Sequence, residues 1–317
     1  MRQASRFVLF ALVSLLAAAQ LAAQQSDNAR TPTSDAQLRY WLDNMVRLHG
    51  FTTAEVQAAT GLPAEQIEQQ LARFEISAKG FPETREQLLV VPYPGGRHPR
   101  IGFLEGAIDP QRETKISVFT PWARHDYVVV DVPEAIFSNL GLTYLAHTHV
   151  PTLWTRQEVA LEQLEWNRRE DGTLDIERKL PNGIRFGSKI TPQRDHVRMQ
   201  LWLENGTAAK LTGLRVQNCV MLKAAAGFNE QTNDNKLDRK PYAVCKSQQG
   251  NRWIITGWQP LGRVWFNPRC PCLHADPVFP DCPAGERVEL NGWLSFYEGS
   301  DIDEELKRID SSGWREP

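Results

Sequence analysis

The feature that most constrains this chain is a two-residue alternation that recurs in short bursts from Phe81 onward. Val197, Met199, Leu201 and Leu203 alternate with Arg198, Gln200 and Trp202. Successive side chains of a strand point to opposite faces, so this pattern describes a strand with one face buried. KISVF, YVVVDV, IRFGSKI, LRVQNCVML, YAVCKS, RWIITGW and VELNGWLSFY are similarly short and rich in β-branched and aromatic residues. Turn residues separate them at Asp171-Gly172, Asn182-Gly183, Asn205-Gly206 and Gly250. Many short strands at this spacing predict a mainly β fold, an antiparallel β-sandwich over residues 81–299. Thr155 to Leu164 is the helix candidate inside it, or else a covering loop.

The flanks read differently. Arg2 and Arg6 precede an apolar run from Phe7 to Ala19, too short to span a membrane comfortably, and small residues follow. This predicts a signal peptide over residues 1–23, cleaved after Ala19 or Ala23, and an exported, soluble mature chain, periplasmic or extracellular. A polar linker over 24–34 leads to a short helical appendage over 35–76. There Leu38, Trp41, Leu42, Met45 and Val46 recur at helical spacing. Thr52 or Thr53 can cap a second helix, Gly61 ends it, and Pro63 opens a third. Residues 300–317 hold an acidic, capped surface helix and a tail.

The two short helices resemble a helix-turn-helix, but the second carries Glu65 and Glu68 beside one arginine, which phosphates would repel. Thirty-six basic against 38 acidic residues give a formal charge of −2, so no strong field points to nucleic acid or an anionic membrane. No other apolar run approaches the length of a membrane span. Ten tryptophans offer stacking platforms for sugar rings, Trp154 among them.

The chemistry-bearing residues gather in three places. In GLTYLAHTHVPTLW, His147 and His149 project from one face of a strand end, about 7 Å apart at the backbone. Such a pair can handle protons or ligate a metal. Gly141, five residues and His-x-His copy the start of a cupin metal motif, but Leu153 and Trp154 stand where its glutamate belongs. In WFNPRCPCLHADPVFPDCPAGE, Cys270, Cys272 and Cys282 crowd around His274 and Asp276 in what reads as an irregular, proline-fixed loop. A disulfide from Cys282 to Cys270 or Cys272 is expected in an exported protein. A metal site of cysteine and His274 is the alternative, though its spacing fits no standard zinc motif. Cys219 and Cys245 read as core residues. If the loop folds over the strand end, His147, His149 and His274 converge and can hold a divalent metal such as zinc. In GGRHPRIGFLEGAIDPQRETK, Arg97, His98 and Arg100, with Arg112 and Lys115, suit sugar hydroxyls or a carboxylate, with Glu105 as partner. Phosphate loops, serine-nucleophile elbows and helical HExxH motifs are not evident.

The strand series ERKLPNGIRFGSKITPQRDHVRMQLWLENGTAAKLTGLRVQNCVMLK resembles the large sandwich of galactose-mutarotase-like, or aldose-1-epimerase-like, proteins. The resemblance covers roughly residues 88–297. It implies a supersandwich that binds or modifies carbohydrates, with a histidine acting as acid toward the ring oxygen and a glutamate accepting the anomeric hydroxyl proton. His147 or His149 matches the histidine by position; Glu165 and Glu298 stand for the glutamate.

The expectation is therefore an exported carbohydrate-active protein that uses histidine acid/base chemistry. His147, His149, Glu165 and His274 are its catalytic candidates. Arg97, His98, Arg100, Trp154 and Asp276 are its candidates for holding a carbohydrate or other small polar ligand. A non-catalytic carbohydrate-binding or cell-envelope module, and a metal-dependent enzyme built on His147, His149 and His274, are the rival readings.

Overall fold

The computed structural model describes residues 29–83, 85–95, 112–147 and 150–316. The leader, Arg97, His98, Arg100, Glu105 and His149 lie outside the described residues. The chain divides into two compact units, residues 1–81 with 94–97, and residues 82–93 with 98–317.

The first unit holds helices α1 (Asp35–Leu42), α2 (Thr53–Thr60) and α3 (Ala64–Arg73), with a π-helical stretch, Asp43–Leu48, continuing α1. Thr52 caps α2 in a reciprocal capping box with Glu55, and Gly61 ends it in the left-handed conformation (φ 72°). Leu38, Trp41, Leu42 and Met45 pack with Phe51, Val56, Ala59 and Ile67 into a core of their own.

Among the described residues, the second unit holds fifteen strands. They are β1 (Val90–Pro92), β2 (Lys115–Phe119), β3 (Tyr127–Ser138), β4 (Gly141–Leu145), β5 (Asn167–Arg168), β6 (Leu174–Lys179), β7 (Arg185–Pro192) and β8 (His196–Glu204). Then follow β9 (Arg215–Met221), β10 (Lys236–Arg239), β11 (Tyr242–Lys246), β12 (Arg252–Gln259), β13 (Leu261–Trp265), β14 (Cys272–Pro277) and β15 (Arg287–Glu298). A seven-stranded sheet runs β1-β2-β3-β9-β14-β13, with β4 also paired to β3. An eight-stranded sheet runs β10-β11-β12-β15-β8-β7-β6-β5. Every pairing is antiparallel, and the two sheets enclose one apolar core, so the fold is a β-sandwich.

The alternation in β8 does what its sequence requires. Val197, Met199, Leu201 and Leu203 are buried in the inter-sheet core, and the residues between them are half-exposed. Gly183 and Gly206 sit at turns where the chain crosses itself closely. A Cβ on Gly206 would lie 2.1 Å from the Gly183 carbonyl oxygen, so no other residue fits there without movement of the backbone.

Two sequence expectations are corrected. The stretch from Cys272 to Pro277 is a strand inside the sheet, paired to β9 on one side and β13 on the other. Its own alternation explains this: Leu273 and Ala275 face the core, and Cys272, His274 and Asp276 face away. The C-terminal helix α5 (Ile302–Asp310) is more than a surface helix, since Ile302, Leu306 and Ile309 pack with Trp293, Tyr242, Trp253 and Trp314. It covers the outer side of the eight-stranded sheet. Between 155 and 164, only the start of the candidate is helical, as α4 (Leu153–Arg156).

The outer sides of the two sheets differ in kind. One is apolar and covered by α5. The other, on the seven-stranded sheet, is buried and charged.

Candidate functional site

That charged face follows from strand parity. Ile116 and Val118 of β2, Val128, Val130 and Val132 of β3, Val216 and Val220 of β9, and Leu273 and Ala275 of β14 all lie in the inter-sheet core. The residues between them must point outward. They include Lys115, Asp131, Gln217, Cys219, Met221, Cys272, His274 and Asp276. Of these, Lys115, Asp131, Cys219, Met221, Cys272, His274 and Asp276 are buried. Buried charge is expensive unless it is paired, so each group has to be accounted for.

Lys115 and Asp131 are register partners across β2 and β3 and form an ion pair with side chains 0% and 3% exposed. Beyond Asp131 the register of β3 against β9 shifts before Ala135, and Glu134 lies in that irregularity. Its carboxylate is shared: His147 Nε2 approaches Oε1 at 3.1 Å, and Gln217 Nε2 donates to Oε2 at 2.8 Å. His147 sits just past the end of β4, where the Ala146 N–H donates to the Glu134 carbonyl at 2.8 Å and pins the turn to β3. The carboxylate accepts, so the shared proton sits on His147 Nε2 and leaves Nδ1 as the ring's acceptor atom. Burial and the Lys115 charge push the imidazole down to about 4, against the opposing pull of Glu134 and Asp131. At neutral pH His147 is therefore an uncharged ring held by a carboxylate.

Two strands away, His274 stacks on Trp265, ring centroids 4.0 Å apart and planes 23° from parallel. Its Nδ1 lies 3.5 Å from Asp276 Oδ1. Asp276 in turn accepts from the Asn218 N–H at 3.1 Å, Arg263 Nε at 2.9 Å and Trp265 Nε1 at 2.6 Å. Burial pulls the His274 ring down, but the Cys219 sulfur, the nearby Asp276 carboxylate and the Cys272 sulfur outweigh it and hold the ring above its ordinary value.

A cavity of about 270 Å³ joins the two groups. Phe137, Leu142, Leu145 and Val150 form an apolar wall, while Glu134, Gln217, Trp265, Asn267, Cys272 and His274 present polar or aromatic surface. That size suits one small polar ligand with an apolar face.

Several sequence-derived candidates are placed differently. A strand end is ordinarily exposed, but His147 is only 3% exposed, because the turn folds onto β3. Trp154 is no platform: it is buried in the inter-sheet core and its Nε1 donates to the Thr143 carbonyl at 2.8 Å. None of the ten tryptophans is exposed, and Trp265, half-buried, is the one that lines the cavity, with Phe137 as a second aromatic ring. Glu165 does not line the cavity; its carboxylate lies 3.3 Å from Arg112 Nε. Asp276 spends its oxygens on protein donors, which makes it a positioning residue for His274 and Trp265.

The expected staple is absent, and all five cysteines are free thiols. Strand β14 separates Cys272, at its first position, from Cys282 beyond its last, and an extended strand advances about 3.3 Å per residue. Cys282 instead bridges to Leu211, with Sγ 3.2 Å from the Glu286 carbonyl. Cys270 Sγ meets Met221 Sδ at 3.8 Å. Cys245 belongs to the apolar core, as expected, but Cys219 lies on the polar face.

Two donor trios among the described residues are close enough to hold a metal: Asp131, Glu134 and His147, and Cys219, Cys272 and His274. His147 and His274 do not share a trio. In the first, Lys115 already supplies the cation that Asp131 faces. Sequence reasoning missed Glu134 and Asp131, although a signal was present: both interrupt the apolar strand YVVVDVPEAIF, and a carboxylate inside such a run needs a buried partner.

No family model and no curated protein matches the chain. Among solved structures it matches an Escherichia coli K12 protein carrying an aldose 1-epimerase designation. That match has 12% identity and a TM-score of 0.33, over 43% of this chain and 69% of that one. It also matches a heparan sulfate lyase mutant from Pedobacter heparinus, at 8% identity and a TM-score of 0.35, over 87% of this chain and 44% of that one. A human-microbiome protein with a kojibiose phosphorylase designation matches at 8% identity and a TM-score of 0.37, over 74% and 36% of the two chains. Among the described residues, no helix is long and apolar enough to cross a membrane.

Proposed function

We propose that this chain is an exported carbohydrate-active enzyme that moves protons on a sugar bound in the cavity of the seven-stranded sheet. One observation carries the reading. A buried carboxylate, Glu134, lines a cavity with room for a single sugar ring and is held by an uncharged imidazole and an amide.

Glu134 and His147 work as the proton-accepting unit. Glu134 faces the cavity, and His147 and Gln217 fix its orientation, so a hydroxyl proton leaving the sugar has a defined destination. His274, on the other polar wall and braced by Trp265 and Asp276, meets the oxygen that gains negative charge. The apolar wall takes the hydrogen-bearing face of the ring. This division matches what the sequence resemblance implies, a histidine toward the ring oxygen and a glutamate toward the anomeric hydroxyl. It puts His274 in the place the resemblance gave to His147 or His149, and Glu134 in the place of Glu165 and Glu298. Seven of the ten tryptophans are buried and the other three half-buried, which weighs against a binding module that works through an exposed aromatic platform. The leader pattern of residues 1–23 supports export.

The test is to follow anomer interconversion of a panel of free aldoses by proton NMR, with Glu134→Gln as the control. Acceleration by the wild type that is lost in the variant supports the reading. Equal rates in both, with both folded, would overturn it. The mature N-terminus, read by mass spectrometry from cells of origin, tests export.

A further inference from the structure

Beyond that reading, and independent of whether the ligand is a sugar, we infer that Cys219, Cys272 and His274 form a binding site for a soft divalent metal, zinc by preference.

The donors come from two neighbouring strands. Cys272 and His274 are two residues apart in β14 and so project from the same face, and the register that pairs Leu273 with Val220 brings His274 opposite Cys219 of β9. One sulfur from each cysteine and one imidazole nitrogen all lie within 4.8 Å of one another. A tetrahedral zinc, with bonds of about 2.3 Å to sulfur and 2.0–2.1 Å to nitrogen, needs its donors roughly 3.5–3.8 Å apart. Small rotations of side chains on a rigid sheet close that difference.

Three further features separate this trio from buried core thiols. The residues point away from the inter-sheet core, and Cys272 and His274 border the cavity. A metal held by three protein donors there keeps its fourth position toward the ligand space. A carboxylate also stands where the outer support of a metal-bound histidine belongs, 3.5 Å from His274 Nδ1 and not in hydrogen-bonding geometry without an ion. That carboxylate, Asp276, is itself held by Arg263, Trp265 and the Asn218 amide. Finally, the surroundings are soft. Cys270 Sγ and Met221 Sδ touch beside the trio, and Met221 is the cross-strand partner of Cys272. Thiolate and thioether surroundings favour zinc over magnesium, calcium or manganese. Binding displaces the thiol protons, so affinity rises with pH. A metal here would take over, as a Lewis acid in the same cavity as Glu134, the charge-stabilising role that the His274 ring has without it. The chain spacing fits no zinc motif because the third donor sits on a different strand.

The experiment titrates the full chain, reduced and stripped of metal, with Co²⁺ alone. One equivalent should bind, with thiolate-to-cobalt charge-transfer absorption in the near ultraviolet and the strong visible bands of a four-coordinate ion. Both should vanish in Cys219→Ser/Cys272→Ser and persist in His147→Gln. Asp276→Asn should weaken binding about 10–100-fold. Cadmium-113 NMR of the wild type reads the donor set without any substitution and decides the matter if the double variant fails to fold. A two-sulfur shift supports the site, and an oxygen or nitrogen shift overturns it. Absence of binding by the folded, reduced chain, or charge-transfer bands that survive in the double variant, also overturns it.

Discussion

Glu134 Oε1 and His147 Nε2 lie 3.1 Å apart with side chains 4% and 0% exposed, and they tie the turn after β4 to the irregular stretch of β3. The contact joins the cavity lining to a ring that burial keeps neutral. Two consequences can be measured separately.

The first is a pH dependence of stability. His147 is pushed down to about 4 in the folded chain, while an unfolded histidine titrates near 6.5. Between those values the unfolded chain binds the proton and the folded one does not, so stability falls as pH drops from about 6.5 to 4. The loss is on the order of 3 kcal/mol. Urea unfolding of wild type and His147→Gln at pH 7 and pH 4.5 checks this, because the variant should show a shallower decline.

The second concerns the carboxylate. Glu134→Ala leaves His147 and Gln217 without the group both contact and should cost about 2–4 kcal/mol. Glu134→Gln keeps the volume and should cost less, while turnover falls by about 10²–10⁴-fold if Glu134 accepts the proton. Melting curves and sugar kinetics on the same two variants separate a structural from a chemical role.

Lys115 and Asp131 form a fully buried pair across β2 and β3. Lys115→Met or Asp131→Leu alone strands a charge and should cost about 3–5 kcal/mol. The double replacement should cost less than either single change, which a denaturation cycle would show as a large coupling energy.

Trp314 is fully buried against Trp293 and Tyr242, and its Nε1 donates to the Tyr242 hydroxyl at 2.8 Å. Trp314→Ala should destabilise the sandwich by about 3–5 kcal/mol. Removing residues 300–317 should uncover that apolar face, read as increased binding of a hydrophobic dye.

The sequence by itself determined the class of the fold and the strands within it. Alternation in segments such as Val197 to Leu203 is local, and a strand with one apolar face can be satisfied only by burying that face. It also pointed to His147, His274 and Asp276, because imidazoles and carboxylates next to apolar strands stand out. Tertiary structure alone decided what those residues do. Whether His147 is exposed or buried depends on the turn after β4 closing onto β3, and its partner Glu134 belongs to a different strand. The cysteines were misassigned for the same reason. Spacing along the chain suggested that Cys282 pairs with Cys270 or Cys272, but β14 is an extended strand that holds them apart. The same strand, paired in register with β9, sets Cys219 beside Cys272 and His274. Periodicity is written in neighbours along the chain, whereas a site is made by register between strands, which neighbours along the chain do not specify.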